Sequence, residues 1–331
     1  MGRHIPFVQS LNMGEKMNHI WLIGAGTMAQ DYIKVLEVLK KDFIIVGRGI
    51  HTAKKCEEVT GCKVIPGGLN TFLSHNPPKP SHAIVATGIE KLYQTTKTLL
   101  DYGVQNILVE KPAGLYQEEF EELVRTTKEK NANVFVAYNR RFYASVLKAQ
   151  QIIKEDGGVT SFNFEFTEWA HVIAPLKKAE GVKEKWFLGN STHVADLAFF
   201  LGGKPKEICC FANGNLDWHP ASSVFSGAGK SIEGVLFSYH ANWESAGRWG
   251  IEILTREHRL ILRPMEKLQI QNRGSVAIEY DELIDYTLDE NYKPGLFLQT
   301  KYFLEDNFAS FCTISEQKEM FSSYARMAGY A

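Results

Sequence analysis

The sequence predicts an α/β protein, in which an N-terminal Rossmann domain with a doubly wound parallel sheet is followed by a C-terminal α+β domain with a large, mostly antiparallel open sheet. Three observations predict it. The apolar run His19 to Ile23 breaks into Gly24-Ala25-Gly26-Thr27-Met28-Ala29 and then into helical periodicity. Strand and helix patterns of crossover length alternate as far as about residue 150, which is how a parallel sheet covered on both faces is encoded. Beyond that point the period becomes two: Phe162, Phe164 and Phe166 alternate with Asn163, Glu165 and Thr167. The organisation expected is therefore an extension or leader at 1–18, a nucleotide-binding domain at 19–150 and a substrate and oligomerisation domain at 151–331. A return of the chain to the first domain near its C-terminus is left open.

Composition narrows the function classes. The chain has 331 residues, with 37 Lys+Arg against 38 Asp+Glu and 44% hydrophobic residues. That length suits about two domains. A formal charge of -1 without a long basic run argues against a grip on nucleic acid or anionic membrane. No apolar stretch reaches the roughly 18 residues of a membrane helix. Five cysteines without C-x-x-C spacing suggest neither a disulfide framework nor a zinc site, so no metal and a cytoplasmic location are expected.

The first elements carry the clearest chemistry. In G-x-G-x-x-A, Gly24 makes the tight turn, Gly26 lets the backbone approach a pyrophosphate, and the small final residue allows close helix packing. Ala25, Thr27 and Met28 complete this loop, and the helix that follows, with Met28, Tyr32, Val35, Leu36 and Leu39 on one face, offers free N–H groups to phosphates. The second strand, Phe43 to Val46, ends in Gly47-Arg48. An acidic residue usually stands there for the ribose 2'-hydroxyl of NAD; an arginine instead suits a 2'-phosphate. NADP(H) is therefore preferred, with NAD(H) second. The competing reading of Arg48 is a solvated side chain in a loop that continues into His51, Lys54 and Lys55.

Further strands are expected at Val64-Ile65, Ala83 to Ala86, Asn106 to Val109 and Asn133 to Ala137, with helices around Leu92 to Leu100 and Gln117 to Lys130 between them. Ligands of such a sheet bind at the carboxyl ends of its strands. There lie Thr87-Gly88, Glu110-Lys111-Pro112 and Tyr138-Asn139-Arg140-Arg141. After a helix at Ser145 to Lys154, strands are expected at Glu207 to Phe211, Gly234 to Ala241, Trp249 to Leu254, His258 to Leu262 and Lys267 to Gln271. One helix is expected within Trp186 to Gly203, with a glycine stop. On it His193 and Asp196, three apart, share a face: either a tuned proton-transfer pair or a buried structural one.

Together G-A-G-T-M-A at 24–29, E-K-P at 110–112, Y-N-R-R-F at 138–142 and N-S-T-H-V-A-D-L at 190–197 resemble the glucose-fructose oxidoreductase, inositol dehydrogenase and MocA family (Gfo/Idh/MocA) from about residue 19 to the end. The resemblance implies a pyridine-nucleotide enzyme that oxidises a sugar or cyclitol hydroxyl, or reduces the ketone, between its domains. It implies Lys111 as the residue that polarises the reacting oxygen and His193 as the one that exchanges its proton. It further implies Glu110 beside the nicotinamide, and Asn139, Arg140, Trp186, Asn190 and Asp196 as substrate contacts. Assembly as a homodimer or homotetramer through the C-terminal sheet is implied as well.

Two departures from the family pattern bear on this. Gly189 stands where many members carry an aspartate four residues before the histidine, with Asn190 the nearest polar residue; and Ala86-Thr87-Gly88-Ile89-Glu90-Lys91-Leu92 lacks the usual proline, asparagine and histidine. The substrate expected is a free, phosphorylated or nucleotide-linked sugar, a phosphate being suggested by Arg140, Arg141, Lys177, Lys178, Lys183 and Lys185 unless these form a solvated face. The alternatives are a redox-neutral isomerase or glycosidase that retains its cofactor, and a non-catalytic NADP sensor.

Overall fold

The computed structural model describes residues 19–330; the expected leader at 1–18 lies outside the described residues. In the first half β1 (Ile20–Ile23), α1 (Thr27–Val38), β2 (Phe43–Val46), α2 (Ile50–Thr60), β3 (Val64–Ile65), α3 (Gly68–Leu73), β4 (His82–Val85), α4 (Leu92–Tyr102), β5 (Asn106–Glu110), α5 (Gln117–Glu129) and β6 (Asn133–Ala137) alternate as anticipated. The strands are apolar on both sides because helices cover both faces of the sheet. Leu22, Ile84 and Leu108 pack under α1 on one face, while Trp21, Val85 and Val109 pack under α4 and α5 on the other.

The second half runs α6 (Ala144–Glu155), β7 (Ser161–Glu165), α7 (Ala170–Ile173), α8 (Thr192–Gly202), β8 (Pro205–Asn213), β9 (Val224–Ser231), β10 (Leu236–Asn242), β11 (Gly250–Leu254), β12 (His258–Leu262), β13 (Gln269–Asn272) and β14 (Glu279–Tyr280). Its eight strands are ordered β14-β13-β12-β11-β7-β10-β9-β8, and every pairing except β7 with β10 is antiparallel. The alternating phenylalanines of β7 face α8, where Phe162 and Phe164 meet Phe199 edge-on at ring centroid separations of 6.1 and 5.5 Å.

The chain then returns to the first half. After α9 (Thr287–Asn291) and α10 (Leu296–Leu304), the short strand β15 (Cys312–Thr313) pairs antiparallel with β6, which makes the first sheet seven strands in the order β15-β6-β5-β4-β1-β2-β3. The last helix, α11 (Ile314–Ala328), packs on α5 of the first half and on β8 and β9 of the second, so it clamps the two sheets together.

Two details depart from expectation here. Strand β9 was not anticipated, because Val224-Phe-Ser-Gly-Ala-Gly-Lys-Ser231 has turn-like composition. Its glycines have a packing reason: a Cβ on Gly227 would come within 2.4 Å of the Tyr239 ring, and one on Gly229 within 2.6 Å of the Phe237 ring. The helix expected within Trp186 to Gly203 is present and stops at Gly203, but its opening turn is wound more widely than an α-helix. A wide π turn, Phe187–Ser191, precedes α8 and displaces the backbone around Gly189. No helix among the described residues is long and apolar enough to cross a membrane. All five cysteines are free thiols.

Candidate active site

The glycine loop has the shape its sequence demands. Gly24 sits at φ +133°, and a Cβ there would lie 2.2 Å from the Ala86 carbonyl oxygen, so the turn is pressed against the end of β4. Beside Gly26, in contrast, a Cβ would meet nothing within 4 Å. Gly26 is also the N-cap of α1 without any side-chain cap, which leaves the first N–H groups of the helix for another acceptor. An open cradle, uncapped donors and the buried, unpartnered hydroxyl of Thr87 at the end of β4 fit the phosphates of a dinucleotide. Gly88 follows as an exposed residue, and Gly47, at the end of β2, is buried against Ala25. Arg48 is exposed and makes no ion pair among the described residues.

Glu110 and Lys111 come off the end of β5 into the cleft between the sheets. The Glu110 carboxylate accepts a 2.8 Å bond from the Tyr32 hydroxyl of α1; burial raises its pKa, opposed by that bond and by the neighbouring Lys111. The Lys111 ammonium donates to the Gly189 carbonyl of the π turn. Thus the irregular backbone that replaces a regular helix there supplies the acceptor that orients the lysine. Burial, aided by the like charges of Arg140 and Lys293 and opposed by Glu110 and Glu168, lowers the Lys111 pKa to about 7.

His193, in the first turn of α8, faces the same cleft. Its ring is 6.1 Å from that of Tyr138 and 6.2 Å from that of Trp249, and neither ring nitrogen makes a hydrogen bond among the described residues. Burial together with the charges of Arg140, Lys111 and Lys293 pushes its pKa well below the usual value, so the imidazole is neutral and able to take a proton.

Other site residues expected from the sequence stand differently. Asp196 is not the partner of His193: both its carboxylate oxygens bind Arg141, at 2.9 Å to Nε and 2.6 Å to Nη2, in a buried pair that Glu316 joins at 3.0 Å. Three residues on a helix put two side chains on one face, but Asp196 lies one turn deeper, where Arg141 is. Asn139 donates to the Pro294 carbonyl at 2.8 Å and so anchors the chain between α9 and α10. Trp186 is 8% exposed and packs against Trp218 at 6.0 Å. The expected basic cluster is dispersed as well: Arg141 is consumed by Asp196, Lys183 donates to the Ala174 carbonyl, and Lys185 covers the Tyr330 ring. Arg140 does stay in the cleft, over Trp249 at 4.8 Å.

The structure adds residues that no motif indicated. Glu168, just beyond β7 and 1% exposed, accepts from Asn190 Nδ2 at 2.9 Å and Ser191 Oγ at 2.8 Å, and faces Arg248 at 3.6 Å. It thereby places a carboxylate near Lys111 in a part of the cleft where position 189 offers none. Lys293, between α9 and α10, brings a further cation. The alternation of β7 hinted at Glu168; nothing in the sequence distinguished Lys293 from other exposed lysines. Among the described residues no cluster of three or more His, Cys, Asp or Glu is suited to a metal ion.

Residues 19–138 match the oxidoreductase family with an NAD-binding Rossmann fold, Gfo/Idh/MocA. That match covers the N-terminal nucleotide-binding half of the chain. A scyllo-inositol 2-dehydrogenase (NADP(+)), IolW of Bacillus subtilis strain 168, is 26% identical over 136 residues, which are 40% of this chain and 38% of that protein. Among solved structures, a UDP-N-acetylglucosamine 3-dehydrogenase, GnnA from Acidithiobacillus ferrooxidans, is similar with a TM-score of 0.71 at 13% identity, over 93% of this chain and 96% of that one. A levoglucosan dehydrogenase in complex with NADH is similar with a TM-score of 0.75 at 16% identity, over 94% and 96%. At these identities the likeness is one of fold, and it extends over both halves of the chain.

Proposed function

We propose that the protein is an NADP(H)-dependent dehydrogenase or reductase acting on a secondary hydroxyl or ketone of a sugar or sugar derivative. The observation that carries this reading is the meeting, in one cleft beside an open glycine cradle, of a buried lysine with a pKa of about 7 and a buried neutral histidine without a hydrogen-bond partner. A bound nicotinamide would exchange hydride with the reacting carbon. The protein's own part is proton and charge management. His193 takes the hydroxyl proton during oxidation and returns it during reduction, and charged Lys111, fixed by the Gly189 carbonyl, stabilises the negative charge that develops on the oxygen. Gly24, Gly26 and the N-terminus of α1 would hold the dinucleotide phosphates, with Glu110 and Thr87 alongside.

Arg48 favours NADP(H) because its exposed guanidinium is free to pair with a 2'-phosphate. The sugar-type substrate is in keeping with the named activities of the relatives. Self-association is proposed through the outer face of the C-terminal sheet, where Phe211 and Leu236 are 66% and 63% exposed. Equilibrium titration of the purified protein with NADPH and NADH tests the cofactor assignment. NADPH is expected to bind the more tightly, and Arg48→Ala to remove about tenfold or more of that preference; an unaltered preference would show that Arg48 has no part in it.

A further inference from the structure

The cleft contains buried polar atoms that no hydrogen bond satisfies among the described residues. Arg140 Nε, Trp249 Nε1 and His193 Nδ1 are sealed from solvent, and none has a partner among the described residues. They belong to one packed group, since the Arg140 guanidinium lies 4.8 Å from the Trp249 ring centre and the His193 ring 6.2 Å from it. Indole N–H and guanidinium N–H can only donate, so this group is built to meet acceptors.

The charges point the same way. Arg248 faces Glu168 at 3.6 Å, and Arg141 is bound up with Asp196 and Glu316. The side chains of Arg140 and Lys293, by contrast, make neither an ion pair nor a hydrogen bond among the described residues, although both are close enough to the reaction centre to affect Lys111 and His193. Stacking on Trp249, with Tyr143 at 5.9 Å, fixes the Arg140 guanidinium in the cleft.

We propose that Arg140, Lys293 and Trp249 form a subsite for an anionic group carried by the substrate, a carboxylate or a phosphate on the sugar, so that the substrate class is acidic sugars rather than neutral ones. This rests on the sugar-dehydrogenase reading above. An acidic sugar supplies several acceptor oxygens and the negative charge that two unpaired cations lack.

The test uses the full chain loaded with NADP(H) and sets of matched sugars: a hexose, its uronate and its 6-phosphate. Thermal stabilisation reads binding, and nicotinamide absorbance reads turnover. Within a set, the uronate or the phosphate is expected to bind about tenfold or more tightly than the neutral parent, and whichever does so distinguishes carboxylate from phosphate. Arg140→Gln and Lys293→Ala should each collapse the acid-over-neutral ratio; Lys293 is exposed, so the second variant serves even if the first fails to fold. Neutral sugars bound as well as acidic ones, no binding by any member, or a preference that survives both substitutions would overturn the subsite. Acid-selective binding without any nicotinamide oxidation or reduction would support the subsite and overturn the dehydrogenase reading instead.

Discussion

Gly24 and Gly26 share one motif but have different physical duties. Gly24 cannot accept a side chain, because its φ is +133° and the Ala86 carbonyl lies against it; Gly26 has empty space where a side chain would go. A Gly26→Ala variant should therefore keep its melting temperature yet lose most affinity for the dinucleotide, which isothermal titration alongside calorimetric unfolding will register. Both glycines were legible in the sequence, because tight turns and close ligand approach demand that residue and almost no other. Lys111 and His193 were legible only through the resemblance of their motifs. Of their neighbours, Glu168 was hinted at only by the alternation of β7, and Lys293 was not legible, since it reaches the site through long-range chain return, which leaves no local pattern. Those neighbours nevertheless bear on the pH response that the proposed mechanism predicts, because both act on the charge of Lys111. On the proposed mechanism charged Lys111 assists oxidation, and its pKa of about 7 means that it loses its charge as pH rises through that value. The kcat/KM for oxidation should accordingly fall above about pH 7. Lys293→Ala removes a repelling cation and should move this limb to higher pH; Glu168→Gln removes a stabilising anion and should move it to lower pH. A pH–rate profile with both limbs unmoved would refute these roles.

At the scale of elements, the alternating helices and strands of the first half were legible because each has a periodicity that its two-sided burial imposes. Strand β9 was not, because its glycines are dictated by the aromatic rings of β10 rather than by strand propensity. The π turn was hidden for a similar reason: its apolar residues read as helix, while its geometry serves the Gly189 carbonyl that receives Lys111. The His193–Asp196 spacing gave the right helix but the wrong pairing. Asp196 joins α8 to the turn after β6 through Arg141, with both side chains 4% exposed. Because breaking one partner leaves the other charge buried, Asp196→Asn should destabilise the protein by about 3–5 kcal/mol in denaturant unfolding. A cost under 1 kcal/mol would mean that the pair is dispensable to the packing of α8.

In the whole molecule, the cleft depends on chain segments far apart in sequence. The loop after β5 provides Lys111, α8 provides His193, the turn after β6 provides Arg140, and the segment before α10 provides Lys293. Helix α11 and strand β15 tie the two sheets together and so fix the relation of these groups. The central claim is that this junction manages proton and charge for a nicotinamide-dependent reaction. The most direct measurement is nicotinamide absorbance during turnover of a sugar substrate by the wild-type protein and by Lys111→Ala, with NADPH affinity measured on both. The account predicts that the variant binds NADPH nearly normally while its turnover falls by about 10²-fold or more. Turnover retained at the wild-type level with Lys111 removed would contradict it.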